Sequence, residues 1–397
     1  MRPILETIAL TDARALLLDA ARPIERTERI AIRAANGRVV SQPATSTLEV
    51  PPFDRAAMDG YAVIAEDTFN TPATLRLAGA VHTGEVSPHH LQRGECILIA
   101  TGAPLPAGAD AVVMVEHTES IGNDVRVLTP VYPRQHVSRR ATDIGIGQTL
   151  LYEGDVINPS RIGALAAAGL THIDVYNRPT IAIVSTGNEI VEPGQPLASG
   201  QIYDINRFTL SAVIEMHGGV ADVRATVSDN VDKLSDAVAA TEGADVLIFS
   251  GGSSVGERDL MVDLLQRHGE VIFHGIAVKP GKPTMLGRIG RRLVLGMPGN
   301  PTSCLSNAYM LLIPMLRKIA RLPEFQPHVI TLPLARRIVS TTGRHQFYTV
   351  KVTDGTAVPA FKASGDITSM SHADGYIEIP AQTDIVEAGD LVDVKLF

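Results

Sequence analysis

Three segments of the chain share one pattern: a short continuous apolar run that ends in glycine, proline and polar residues. They are Thr180-Ile-Ala-Ile-Val-Ser-Thr-Gly-Asn-Glu189, Asp245-Val-Leu-Ile-Phe-Ser-Gly-Gly-Ser-Ser-Val-Gly-Glu-Arg-Asp259 and Arg292-Leu-Val-Leu-Gly-Met-Pro-Gly-Asn-Pro-Thr-Ser303. Each run has the length of a buried strand, and an amphipathic segment, Leu260 to Arg267, follows the second. Strands alternating with helices predict an α/β domain with a parallel sheet covered on both faces. Ligands in such sheets bind beyond the carboxyl ends of the strands. Glycine there lets backbone N–H groups approach an anion, and the following helix adds partial positive charge. Gly-Gly and Pro-Gly also make ordinary turns, but three such loops in one sheet favour a site.

Elsewhere the pattern changes. Thr11-Asp12 before an Ala- and Leu-rich stretch predicts a capped helix from about Asp12 to Ala21 that stops before Pro23. A strand at Ile30 to Ile32, a turn at Asn36-Gly37 and a helix from Pro159 to Ala168 ending at Gly169 follow from the same signals. Short β-branched runs spaced by glycines from Leu75 to Val127 predict a β-rich domain. After Pro323 the alternation of Val329-Ile-Thr-Leu-Pro-Leu and Phe347-Tyr-Thr-Val-Lys-Val predicts a β-barrel or sandwich.

Between the second and third loops, Val278-Lys-Pro-Gly-Lys-Pro-Thr284 sets two lysines on either side of a stiff Pro-Gly turn. Surface lysines are usually solvated; beside glycine loops, this pair becomes a candidate anion receiver. A lysine about 4 Å from one negative charge gains roughly 4 kcal/mol at an effective dielectric of 20, before desolvation. In Val50-Pro-Pro-Phe-Asp-Arg-Ala-Ala-Met-Asp-Gly-Tyr-Ala-Val63 the Asp59-Gly60 pair reads as a turn that presents Asp59 on a loop.

Composition narrows the function classes. At 397 residues the chain suits two to four domains. A net charge of −8, 4% aromatic residues and no Trp argue against a nucleic-acid or anionic-membrane partner. Cys96 and Cys304 lie far apart in apolar surroundings, which suggests two reduced thiols in a cytoplasmic protein. No signal peptide or membrane-length apolar run is evident. His82, His89 and His90 lack metal-ligand spacing and read as solvated.

Taken together, the motifs resemble the molybdopterin molybdenumtransferases of the MoeA type, a family that includes the enzymatic domain of gephyrin. The resemblance rests on Pro-Pro-Phe-Asp and Met-Asp-Gly-Tyr-Ala within 51–62, Thr-Gly-Ala-Pro-Leu-Pro-Ala-Gly-Ala-Asp at 101–110, Ser-Thr-Gly-Asn-Glu at 185–189 and Gly-Gln-Ile-Tyr-Asp-Ile-Asn at 200–206. It continues through Ser-Gly-Gly-Ser-Ser-Val-Gly-Glu-Arg-Asp at 250–259, Lys-Pro-Gly-Lys-Pro at 279–283 and Pro-Gly-Asn-Pro-Thr-Ser at 298–303.

The resemblance implies an enzyme that takes adenylylated molybdopterin, releases AMP with Mg²⁺ and places molybdate on the dithiolene sulfurs. It implies catalytic roles for Asp59, Glu189, Asp229 and Asp259, the last three holding the metal. Substrate contacts would fall to Thr101, Asp143, Asp204, Gly251, Gly252, Ser253, Lys279, Lys282, Pro298, Gly299, Asn300, Pro301, Ser303, Arg344 and Ser371. Thr142, Arg55, Ala56 and Thr349 depart from the usual family residues.

The implied architecture has an α/β domain of 1–26 and 178–326, a mixed subdomain of 27–50 and 147–177, a β-rich domain of 51–146 and a C-terminal β-barrel of 327–397. A homodimer would bring the Asp59 loop of one subunit to the sheet cleft of the other, with transient contacts to a molybdopterin adenylyltransferase and to molybdoenzymes. Three other readings stay open: an adenylyltransferase for molybdopterin, a tungstate-inserting paralogue and a dimeric scaffold. Met-Asp-Gly-Tyr-Ala and the β-rich tail count against the first.

Overall fold

The apolar runs of the sequence form strands buried on both faces. The computed structural model describes residues 6–251 and 260–397. The chain divides into two units, Met1–Glu28 with Tyr176–Phe397, and Arg29–Val175. The first unit contains α1 (Leu10–Ala20), β1 (Thr180–Ser185), α2 (Asn206–Met216), β2 (Val220–Val223), α3 (Val231–Ala240), β3 (Val246–Ser250), α4 (Leu260–His268), β4 (Glu270–His274), β5 (Met285–Ile289), β6 (Arg292–Met297), α5 (Pro301–Asn307) and α6 (Ile313–Ile319). A π-helical segment, Ala308–Leu312, joins α5 to α6.

The sheet order is β2-β1-β3-β6-β5-β4. Alternation along β3 explains its unbroken apolar run: Val246 and Ile248 join the core beneath α1, α2 and α6, while Leu247 and Phe249 join the core beneath α3 and α4.

Two expectations need correction. The sheet is not parallel throughout, because β5 pairs antiparallel with both β6 and β4. Only Gly290 and Arg291 separate β5 from β6, too few residues for a crossover. Helix α1 begins at Leu10, two residues before the expected start, and no side chain caps it. Leu10, Ala13 and Leu17 are all buried, so packing of that face sets the helix start.

After α6 come β7 (Val329–Pro333), β8 (His345–Thr353), β9 (Thr356–Pro359), β10 (Gly375–Ile379) and β11 (Leu391–Leu396). The short strand Val278–Lys279 leads this second sheet, followed in order by β8, β10, β11 and β7, with β9 pairing β8. A single parallel bridge, Leu334 to Ala357, connects the β7 end back to β9. The expected barrel is therefore joined there by one bridge and not by a continuous ladder.

The tail is packed onto the α/β core. Phe347 of β8 is fully buried and stacks on Tyr376 with ring centroids 4.0 Å apart. Replacing Phe347 with Ala should cost about 3–5 kcal/mol through lost burial and a cavity. Urea unfolding would check this; a change of well under 1 kcal/mol would mean that the tail contributes little to the core.

The second unit carries a six-stranded sheet in the order Ala111–Met114, Gly60–Val63, Glu95–Ile99, Ala73–Val81, Asp124–Val127 and Thr118–Ile121. Its two faces bury separate cores, one with Tyr61, Val63 and Val113, the other with Ala62, Ile97 and Val112. A third core in this unit gathers Val40, Leu151, Leu165 and Val175. The Pro159–Ala167 helix beside it is capped by Asn158, whose side chain accepts from Arg161 N–H.

The strand expected at Ile30 to Ile32 lies at Thr27–Ala31 instead, and Ile32–Ala34 forms a 3₁₀ turn. Gly60 opens a strand instead of completing a turn, and a Cβ there would lie 1.9 Å from Val113 O. Close strand approach thus explains this glycine. His89 is not simply solvated, since its Nε2 lies 2.7 Å from Glu95 Oε2. Among the described residues, no helix is long and apolar enough to cross a membrane.

Candidate active site

The three glycine-containing loops leave adjacent strands of one sheet. Thr186 N–H, just after β1, donates to Ser250 O (2.9 Å), and Gly251 N–H, just after β3, donates to Met297 O of β6 (3.3 Å). Gly251 has φ +106°, and a Cβ there would meet Thr186 O at 2.2 Å. Only glycine fits where these loops converge. Asn206, buried at the start of α2, donates from Nδ2 to Ser250 Oγ (2.8 Å) and Gly299 O (2.8 Å). One amide thereby links the β3 and β6 loops.

The lysine turn is held as firmly. Val278–Lys279 pairs parallel with His345 and Gln346 of β8. Asn307 Nδ2 donates to Gly281 O (2.9 Å), as does Thr284 Oγ1 (2.9 Å). Lys279 Nζ donates to Thr341 Oγ1 at 2.7 Å. Its position is set before any ligand binds, which limits the ordering entropy that binding costs.

A cavity of about 1250 Å³ opens over these loops. Of the residues singled out from the sequence, Glu189, Asp204, Gly251, Lys279, Lys282 and Arg344 line it. So do the Pro298–Pro301 loop and Ser303. Lys279 and Arg344 make no ion pair among the described residues. Asp204 is buried, with Arg207 Nε 3.4 Å from its Oδ2, and the same guanidinium also meets Glu192 Oε1 at 3.1 Å.

Glu189 belongs to the loop after β1, where a Cβ on Gly187 would lie 2.7 Å from Glu189 Oε2. Asp229, on the loop after β2, is held above the usual carboxylate range first by desolvation and then by the charge of Glu189. The two acidic groups are therefore close enough to repel. Among the described residues, no three His, Cys, Asp or Glu side chains cluster as a metal site. Gly252, Ser253 and Asp259 lie outside the described residues.

Ser371 is exposed at the end of the short helix Thr368–Ser371 and does not line the cavity. Asp59, Thr101 and Asp143 belong to the other unit. There, Thr101 donates its N–H (2.7 Å) and hydroxyl (2.9 Å) to Asp59 Oδ1, which holds that carboxyl below its ordinary range. Asp143 is exposed, and its N–H donates to Val50 O at 3.0 Å. Both cysteines are buried and free, and burial pushes each thiol up to about 12, which leaves them poor nucleophiles.

Sequence reasoning assigned no role to Asn206 or to the segment Phe361–Gly365, which also lines the cavity. Asn206 was visible as the last residue of the 200–206 motif. The segment Phe361-Lys-Ala-Ser-Gly365 has no periodicity and no chemical signature, and only its small residues hinted at a close approach.

Comparison with known proteins assigns the family. Residues 8–169 match the MoeA N-terminal region (domain I and II), 182–318 the "Probable molybdopterin binding domain", and 331–397 the MoeA C-terminal region (domain IV). The chain is 32% identical to the molybdopterin molybdenumtransferase of Haemophilus influenzae, over 98% of each protein. It is 33% identical to molybdopterin molybdenumtransferase 2 of Mycobacterium tuberculosis, over 95% of this chain and 96% of that one. A crystal structure of the molybdopterin biosynthesis MoeA protein from Pyrococcus horikoshii superposes with a TM-score of 0.84 at 37% identity, covering 98% of this chain and 99% of that chain.

The fold is thus the multidomain MoeA fold, and the chain belongs to the MoeA family of molybdopterin molybdenumtransferases. It is a transferase of molybdenum cofactor biosynthesis.

Proposed function

We propose that the cavity takes adenylylated molybdopterin together with molybdate, inserts the metal at the dithiolene and releases AMP. The observation that carries this reading is the meeting, in one cavity, of Lys279 and Arg344, which have no carboxylate partner among the described residues, with the glycine-limited loop at Gly251 and the Pro298–Pro301 loop. Both substrates are polyanions, and such an arrangement offsets the desolvation they undergo on binding.

In this reading Lys279, Lys282 and Arg344 hold the tetrahedral oxyanion, and Ser303 offers a hydroxyl beside it. The β3 and β6 loops border the phosphates, and Asn206 keeps those loops in register. Glu189 and Asp229 fit a hard divalent cation in kind, because a dication would offset both the burial and the neighbouring Glu189 charge that raise Asp229. Magnesium suits a few carboxylates completed by water and phosphate oxygens. When bound, it would neutralise charge on the phosphate being cleaved. Asp259 is proposed as a further ligand from its place in the sequence.

The test is the magnesium dependence of AMP release. Glu189→Gln and Asp229→Asn should each raise the half-maximal Mg²⁺ concentration about tenfold, equivalent to 1.4 kcal/mol. An unchanged requirement in both variants would remove these carboxylates from the metal site. Asp59 is proposed to serve the cleft of a second subunit in a homodimer. Sedimentation that finds only monomer at assay concentration would rule that out.

A further inference from the structure

The segment Phe361–Gly365 follows β9 and forms part of the cavity wall. Its backbone is tied down from several sides. Thr302 N–H donates to Ser364 O (3.0 Å), and Asn300 Nδ2 donates to Ser364 Oγ (3.1 Å). Thr302 Oγ1 donates to Asp366 O (2.9 Å), and Lys362 N–H donates to Ser369 Oγ (3.0 Å). The Phe361 ring lies 5.4 Å from that of Tyr348. Segment and β6 loop are therefore fixed relative to each other.

This anchoring brings Lys362 to the same cavity as Lys279, Lys282 and Arg344. The Lys362 side chain is exposed, its Nζ donates only a 3.3 Å bond to the neutral Thr368 hydroxyl, and it makes no ion pair among the described residues. A lysine on a free surface loop needs no explanation. One carried by a pinned loop to a cavity that Lys279, Lys282 and Arg344 also line adds positive charge where an anionic ligand would bind.

We propose that Lys362 is a further oxyanion-binding residue of this cavity, contacting either molybdate or a phosphate of the pterin substrate. The proposal rests on the reading of the cavity as the substrate site. Lys362 differs from Lys279 in being exposed and held by one long bond, so its contribution is expected to be smaller and more sensitive to salt.

The experiment measures molybdenum insertion by the full chain carrying Lys362→Gln or Lys362→Arg, with Lys279→Ala alongside. Molybdate is varied at fixed adenylylated pterin, and then the reverse. Lys362→Gln should raise the KM of one substrate roughly threefold to tenfold, more than it lowers kcat, while Lys362→Arg retains most of the affinity. A response in the molybdate series identifies that oxyanion as the contact; a response in the pterin series identifies the phosphate. If both KM values are unchanged while Lys279→Ala responds, Lys362 has no such role. If neither Lys362→Gln nor Lys279→Ala responds, the reading of the cavity itself fails.

Discussion

Gly251→Ala is expected to lower turnover by roughly 100-fold or more, the scale on which a misplacement of about 1 Å acts at a reacting centre. Gly251 has φ +106°, and the new Cβ would lie 2.2 Å from Thr186 O, a backbone atom that cannot swing aside. The β1 and β3 loops would have to separate, and with them the Ser250 and Gly299 positions that Asn206 joins. The backbone strain should also destabilise the protein by on the order of 1–3 kcal/mol. Gly163→Ala is the control: it lies in a helix with no atom within 4 Å of its would-be Cβ, and should stabilise by about 1 kcal/mol. Thermal unfolding and turnover together check the pair. Near-normal turnover in Gly251→Ala would place the reacting groups away from this loop.

The lysine turn gives the second large effect. Lys279→Ala and Lys282→Ala should each raise the molybdate concentration for half-maximal insertion at least tenfold, about 1.4 kcal/mol. Pro280 and Gly281 hold the turn, Asn307 fixes Gly281 from behind and Thr341 holds the Lys279 ammonium, so the turn is set before molybdate arrives. Affinity for the adenylylated pterin should fall less, because several loops share its phosphates. Lys351, exposed on β8, is the control and should have little effect when replaced. Insertion rate against molybdate, with circular dichroism to confirm folding, decides it; an unchanged dependence in both variants would make the turn purely structural.

The parts of this molecule that were legible in its sequence are those specified locally. Val246 to Ser250 is apolar throughout because both faces of the strand are covered, and the following glycine is required where its backbone meets Thr186. The Lys-Pro-Gly-Lys turn likewise carries its stiffness in its own residues. Contacts between distant segments were not legible. The antiparallel placement of β5 depended on a two-residue link, and the start of α1 depended on burial of Leu10. Lys362 reaches the cavity through bonds between Ser364 and residues some 60 positions earlier, which no local pattern encodes. The resemblance implied a substrate contact for Asp204, and the ion pairs that Arg207 makes with it and with Glu192 carry no mark in the local pattern. Ser371 resembled a family serine by its neighbours, and yet it lies off the cavity on the exposed end of a helix.

The central claim is that adenylate release and molybdenum insertion occur in one cavity of this chain. It is tested most directly by following both products in a single reaction of the purified protein with adenylylated molybdopterin, molybdate and Mg²⁺. The account predicts that AMP and molybdenum-loaded cofactor appear together in equal amounts, and that withdrawing molybdate suppresses the cofactor while Lys279→Ala slows its formation. Molybdenum loading without any AMP release would contradict it.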